Sequence, residues 1–205
     1  MSDADRRRDV ILAGHRGDTA AAVAALADPA AGVRMAALGA LDRCDALTDD
    51  QVVAASGDDA VEVRRRAAEL AATRPAVPLL GVLDDPDPTV VEVAAWACGE
   101  QLEDDDDPDL RVIARLSALA VDAEAPLVRE ASAAALGAIG HPAGLPAILH
   151  ACTDKPHIRR RAVLALAPFE GAEVDAAIEH ALTDRDWQVR QAAEDLRRAT
   201  GEAEV

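Results

Sequence analysis

Residues 32–41 read GVRMAALGAL, and this stretch decides the fold because it comes back along the chain. Its counterparts are EVRRRAAELA at 62–71, TVVEVAAWAC at 89–98, LVREASAAAL at 127–136, HIRRRAVLAL at 157–166 and QVRQAAEDLR at 188–197. A fixed internal period is the mark of a repeat architecture and takes precedence over any local reading. Each copy carries a β-branched residue in second place: Val33, Val63, Val90, Val128, Ile158 and Val189. An arginine follows in Arg34, Arg64, Arg129, Arg159 and Arg190, and Val91 stands there in the third copy.

Counting from the β-branched residue as zero, small residues fall at +4: Ala37, Ala67, Ala94, Ser132, Ala162 and Ala193. Positions +7 and +8 are apolar in most copies, and offsets 0, 4, 7 and 8 trace one stripe of an α-helix. Alanine at +4 allows a neighbouring helix to come close. A second apolar segment precedes each copy, predicting first helices over 18–27, 48–56, 76–84, 110–121, 143–152 and 172–182. The turn between the two carries Asp28, Asp58, Asp85 or Asp184, each five residues before the β-branched position. A carboxylate at a helix start accepts orphan backbone N–H groups and suits the positive end of the helix dipole. At the same offset Ala123 and Thr153 replace the acid, so the pattern is expected to lapse in the middle of the chain.

Composition agrees with an all-α protein. Half of the 205 residues are hydrophobic, but most of these are Ala, Val and Leu, and the only aromatics are Trp96, Phe169 and Trp187. Alanine is the best helix former, and aromatic strand formers are scarce. The expected domain is single, spanning 1–205. It has an N-terminal capping helix over about 3–14 and helix pairs over about 18–45, 46–73, 75–102, 107–140, 142–169 and 171–200. An acidic insertion, 103–109, accounts for the longest step, from Val90 to Val128. Arg197 at the last +8 position, with Glu194, Asp195 and Arg198, is expected to cap the array.

The pattern of Asp or Asp-Pro, four residues, Val-Arg, then Ala and Leu at helical spacing resembles the HEAT-repeat family. By its short period it is similar to the HEAT-like repeats of phycobilisome lyases. The resemblance covers roughly 18–200 and implies an all-α, right-handed α-solenoid (an armadillo/HEAT-type superhelix) of about six antiparallel helix pairs. It also implies a ladder of polar contacts between successive repeats, through Asp28, Asp58, Asp85, Asp184, Arg34, Arg64, Arg129, Arg159 and Arg190. Finally, it implies that the second helices line the concave face.

Offsets +2, +5, +6 and +9 oppose the core stripe. They nominate Leu38, Arg65, Glu92, Trp96, Glu130, Arg160, Val163 and Leu164 as the surface for a partner. Trp96 is expected near the middle of that surface among small residues, either as an anchor for a partner side chain or as the filler of a gap left by alanines. Glu92 and Glu130 make the centre acidic, with Arg65 and Arg160 to either side, which suits a basic or amphipathic peptide. Trp187 reads as part of the end cap.

Nothing in the chain spells out catalysis. His150, Cys152 and His157 fit no zinc spacing, and residues two apart on a helix point to different sides. His15, His141 and His180 are scattered, and no Gly-Lys-Ser phosphate loop follows Gly137 and Gly140. The acidic run 103–109 lacks the alternation and central glycine of a calcium loop. The formal net charge of -17 disfavours nucleic acid and anionic membranes. Three adjacent arginines, as at 64–66, spread around a helix and form no stripe.

Three well-separated cysteines and the lack of a signal-like N-terminus point to a reducing compartment, with cytoplasm the default. The expected function is a non-enzymatic protein-interaction module or scaffold, without cofactor or metal, acting as a monomer. Similarity to lyases keeps a bilin lyase-like enzyme or lyase subunit as the alternative, and a HEAT-like nucleic-acid binder ranks below it.

Overall fold

Capping residues and prolines set where helices begin. Ser2 and Asp5 form a reciprocal capping box at the first helix, and Thr48 and Gln51 form another at the fourth. Pro88, Pro126 and Pro156 occupy first-turn positions, where a missing N–H costs nothing. Gly17 and Gly140 end their helices with left-handed backbone, φ 74° and 67°, which glycine adopts without strain.

The computed structural model describes residues 1–101 and 108–202, with side chains through residue 199. Its α-helices are α1 (Asp3–Arg16), α2 (Thr19–Ala25), α3 (Ala31–Arg43), α4 (Asp49–Ser56), α5 (Val61–Ala71) and α6 (Pro88–Glu100). They continue with α7 (Leu110–Asp122), α8 (Pro126–Ile139), α9 (Leu145–Ala151), α10 (Pro156–Ala165), α11 (Ala172–Leu182) and α12 (Trp187–Glu202). Two 3₁₀ turns, Val82–Asp84 and Pro142–Gly144, complete the described elements, and there is no strand among the described residues.

The helices form two layers. In the stacked layer α1, α3, α5, α6, α8, α10 and α12 pack each on the next, while α2, α4, α7, α9 and α11 cover one side of it. This is an α-solenoid with one continuous core, running from Val10 through Leu41, Leu83, Ile113 and Ile148 to Leu196. Close approach within the stack is built from small residues. A Cβ on Gly14 would lie 2.8 Å from the Ala40 Cα, and one on Gly137 would lie 2.6 Å from the Ala165 Cα.

The fold departs from expectation in three places. The predicted first helix over 76–84 is absent: Pro75, Pro78 and Gly81 interrupt it, and only the 3₁₀ turn Val82–Asp84 forms. Past the first turn of a helix, proline removes a donor and clashes with the preceding turn, which destabilises a helix there. This explains why the step from Val63 to Val90 is the shortest.

Secondly, offset +5 does not face solvent in the first five copies. Leu38 and Val163 are fully buried, as is Ala95. A stacked helix touches the helix before it, the helix after it and its cover, so its buried arc is wider than one stripe. Thirdly, α1 is more than a cap, because it packs on α3 as a full member of the stacked layer. The acidic run lies outside the described residues except at its end, where Asp109 caps α7 by accepting from the Arg111 N–H at 2.8 Å.

Candidate interaction surface

One edge of the stack is a ladder of bidentate ion pairs. Arg6 Nε donates to Asp28 at 2.8 Å, Arg34 to Asp58 at 2.8 Å, and Arg64 to Asp85 at 2.7 Å. After a gap, Arg129 donates to Asp154 at 2.6 Å and Arg159 to Asp184 at 2.8 Å. Each arginine reaches forward into the turn of the next repeat. Most also hold their own turn, as Arg64 Nη1 does at the Asp58 carbonyl, 3.0 Å away. Arg190 holds the Asp184 carbonyl in the same way at 2.7 Å.

The aspartates lock the turns in return. The Ala30, Ala60, Asp87 and Asp186 N–H groups donate to Asp28, Asp58, Asp85 and Asp184, each at 2.8 Å. The forked guanidinium beside each of these carboxylates is the main cause that holds all five carboxyls below their ordinary range.

The ladder corrects the reading of Thr153. Asp154 takes the carboxylate role, one residue closer to its helix, and accepts from the Lys155 N–H at 2.7 Å. Here the carboxylate stands four residues before the β-branched Ile158 rather than five, so a fixed offset of five missed it. Arg6 was missed because α1 lacks the β-branched residue that marks the repeat. The single interrupted rung is internally consistent: Val91 stands where the arginine would, and Ala123 stands where its aspartate would. Val91 is buried there. Apolar residues therefore replace both halves of one pair, an exchange that buried ion pairs tolerate.

The exposed face of the stacked layer carries the other candidates. A cleft of about 510 Å³ lies between α6 and α8. Buried or half-buried Gly99, Ala131, Ala134 and Ala135 line its floor, and the exposed Trp96, Leu127 and Ala138 line it further out. Trp96 is 44% exposed and Leu127 56%. Glu92, Glu100, Glu130 and Arg161 stand on the rim, with Arg161 Nε 3.9 Å from the Glu130 carboxylate. Arg65 on α5 and Arg160 on α10 are exposed to either side, and Leu164 is half-buried. Leu38 and Val163 belong to the core and are removed from this surface. Leu127 and Arg161 had been missed. Leu127 precedes the β-branched residue, and neither fell on the offsets used.

Elsewhere the chemistry is quiet. Burial pushes the Cys98 and Cys152 thiols up to about 12, which leaves them protonated and weakly nucleophilic near neutral pH. Cys44, Cys98 and Cys152 form no disulfide. Among the described residues no three His, Cys, Asp or Glu side chains gather as a metal would require. His141 Nδ1 accepts from the Ala143 N–H at 3.2 Å and so serves a turn. Trp187 is exposed at the first turn of α12. Among the described residues no helix is long and apolar enough to cross a membrane.

Stacked helices, covering helices and an Arg–Asp ladder define a helical repeat protein. The sequence profile of HEAT repeats matches residues 76–167 and 113–197, together more than half of the chain. The chain belongs to the HEAT-repeat family. Among solved structures it is similar to Escherichia coli YibA, at 17% identity and TM-score 0.63, over 94% of this chain and 68% of that one. It is similar to the CpcE–CpcF complex of phycocyanin lyase from Nostoc sp. PCC7120, at 25% identity and TM-score 0.61, over 85% and 74%. A designed armadillo repeat protein in complex with the peptide (KR)4 aligns at 18% identity and TM-score 0.61, over 87% and 97%. No curated protein matches the chain.

Proposed function

We propose that the chain is a non-enzymatic scaffold that binds a protein segment on the exposed face of its stacked helices, centred on the cleft at Trp96. The observation that carries this reading is a half-exposed tryptophan standing over an alanine floor between two helices. A rigid aromatic side chain beside an open apolar recess is the form an interface anchor takes. The rim has three carboxylates to one guanidinium, so the segment is basic or amphipathic. The designed armadillo protein that carries a Lys-Arg peptide has the same general fold. A monomer in a reducing cytoplasm, with no nucleic-acid partner, fits the acid excess and the free cysteines.

The test is affinity capture with the wild-type chain and with Trp96→Ala. A specific protein retained by the first and lost by the second, with equal helicity by circular dichroism, supports the reading. Equal retention by both moves binding elsewhere. The lyase alternative is favoured by the similarity to the CpcE–CpcF complex. An absorbance change on mixing the chain with a free bilin would support it, and an unchanged spectrum would count against it.

A further inference from the structure

The face around the cleft has a charge order that a uniformly basic ligand does not match. The +2 positions of four successive stacked helices read Arg65 on α5, Glu92 on α6, Glu130 on α8 and Arg160 on α10. These helices are neighbours in that order. Arg65 and Arg160 are exposed, and neither forms an ion pair with a described residue. Next to them, Arg66 is engaged by Glu69 at 2.9 Å, and Arg161 leans toward Glu130 at 3.9 Å. Thus the two carboxylates beside the cleft, Glu92 and Glu130, are bracketed by two unengaged cations.

We infer that the segment held here is an extended one with a central arginine or lysine at the Trp96 cleft and an acidic residue on each side, aligned with Arg65 and Arg160. This rests on the cleft being the working surface. The spacing follows from geometry. Packed helices lie about 8–10 Å apart, so the cleft midline is roughly 12–15 Å from α5 and from α10. An extended chain rises about 3.3 Å per residue, which places each acid about four residues from the central cation. The aliphatic stem of that cation lies on Trp96 and the alanine floor, and its head meets Glu92 and Glu130. Complementary charge order fixes register and rejects wrong partners more than it adds raw affinity. The order is nearly the same read from either end, so the segment can run in either direction.

The experiment is fluorescence anisotropy of labelled synthetic peptides with the intact chain at low salt. One peptide has a central Arg and a Glu about four residues to each side. A second has those charges reversed, and a third is an alternating Lys-Arg octapeptide. The expected result is that the acid-flanked peptide binds about tenfold tighter than the reversed one and tighter than the octapeptide. The double variant Arg65→Glu, Arg160→Glu is then expected to abolish that preference and favour the octapeptide, while Trp96→Ala weakens both. If the octapeptide binds the wild type better and still needs Trp96, the cleft stands and the charge order is overturned. If no peptide shows Trp96-dependent binding, the cleft reading falls and the charge order with it.

Discussion

At the scale of single residues, the ladder makes a few side chains matter more than their neighbours. Arg159 and Asp184 are its most enclosed pair, with side chains 9% and 6% exposed. The Asp184 carboxylate accepts two guanidinium bonds and the Asp186 N–H. Removing it leaves a buried cation without its counter-charge and a turn without its lock. Asp184→Ala is therefore expected to cost about 3 kcal/mol, read as a lower urea midpoint at unchanged slope. Arg161 is the contrasting case, since its side chain is 49% exposed and its carboxylate partner is 3.9 Å away. Arg161→Ala is expected to shift stability by less than about 0.5 kcal/mol, because exposed ion pairs contribute little. Equal effects from the two changes would show that the ladder is not a main support of the fold.

At the scale of elements, small residues decide how closely stacked helices approach. Gly137 and Gly39 are both helical glycines, but their surroundings differ. A Cβ on Gly137 would lie 2.5–2.8 Å from Ala165 atoms, including its backbone, whereas one on Gly39 would meet only the Arg66 guanidinium at 3.6 Å. Gly137→Ala is expected to destabilise by about 2 kcal/mol through overpacking between α8 and α10. Gly39→Ala is expected to stabilise by about 0.5 kcal/mol through helix propensity, and thermal unfolding of the two variants reads the difference in sign. Much of this element scale was legible in the sequence: the recurring β-branched residue and the small residue four positions on place α3, α5, α6, α8, α10 and α12. What was not legible depends on the third dimension. A single apolar stripe cannot reveal that Leu38 and Val163 are buried by the next helix in the stack. Nor can a fixed offset find Asp154, because it stands four residues before Ile158 where the other aspartates stand five before their β-branched residue. Of the surface, Trp96, Glu92 and Glu130 could be placed by spacing, whereas Arg161 comes to the rim from a third helix.

At the scale of the whole molecule, the ladder couples repeats that otherwise touch only their neighbours. Five carboxylates, Asp28, Asp58, Asp85, Asp154 and Asp184, hold their protons more weakly in the fold than they would in an unfolded chain. A depressed folded-state pKa contributes stability that is complete above the unfolded value, about 3.9 for aspartate, and is lost as pH falls through the folded value. The chain is thus expected to keep its stability from neutral pH down to about pH 5 and to lose it steeply below about pH 4. Because all five groups shift in the same direction, the transition should take up more than one proton. The interrupted rung at Val91 and Ala123 has no carboxylate and stays apolar at every pH, so it is expected to hold α6 against α8 after the charged rungs have weakened. Helicity followed by circular dichroism during acid titration reads the transition. Asp58→Asn and Asp184→Asn are each expected to lower stability at pH 7 and to make the acid limb shallower. An acid limb that keeps the wild-type steepness in both variants would place the proton uptake on other carboxylates and remove the ladder from the pH response.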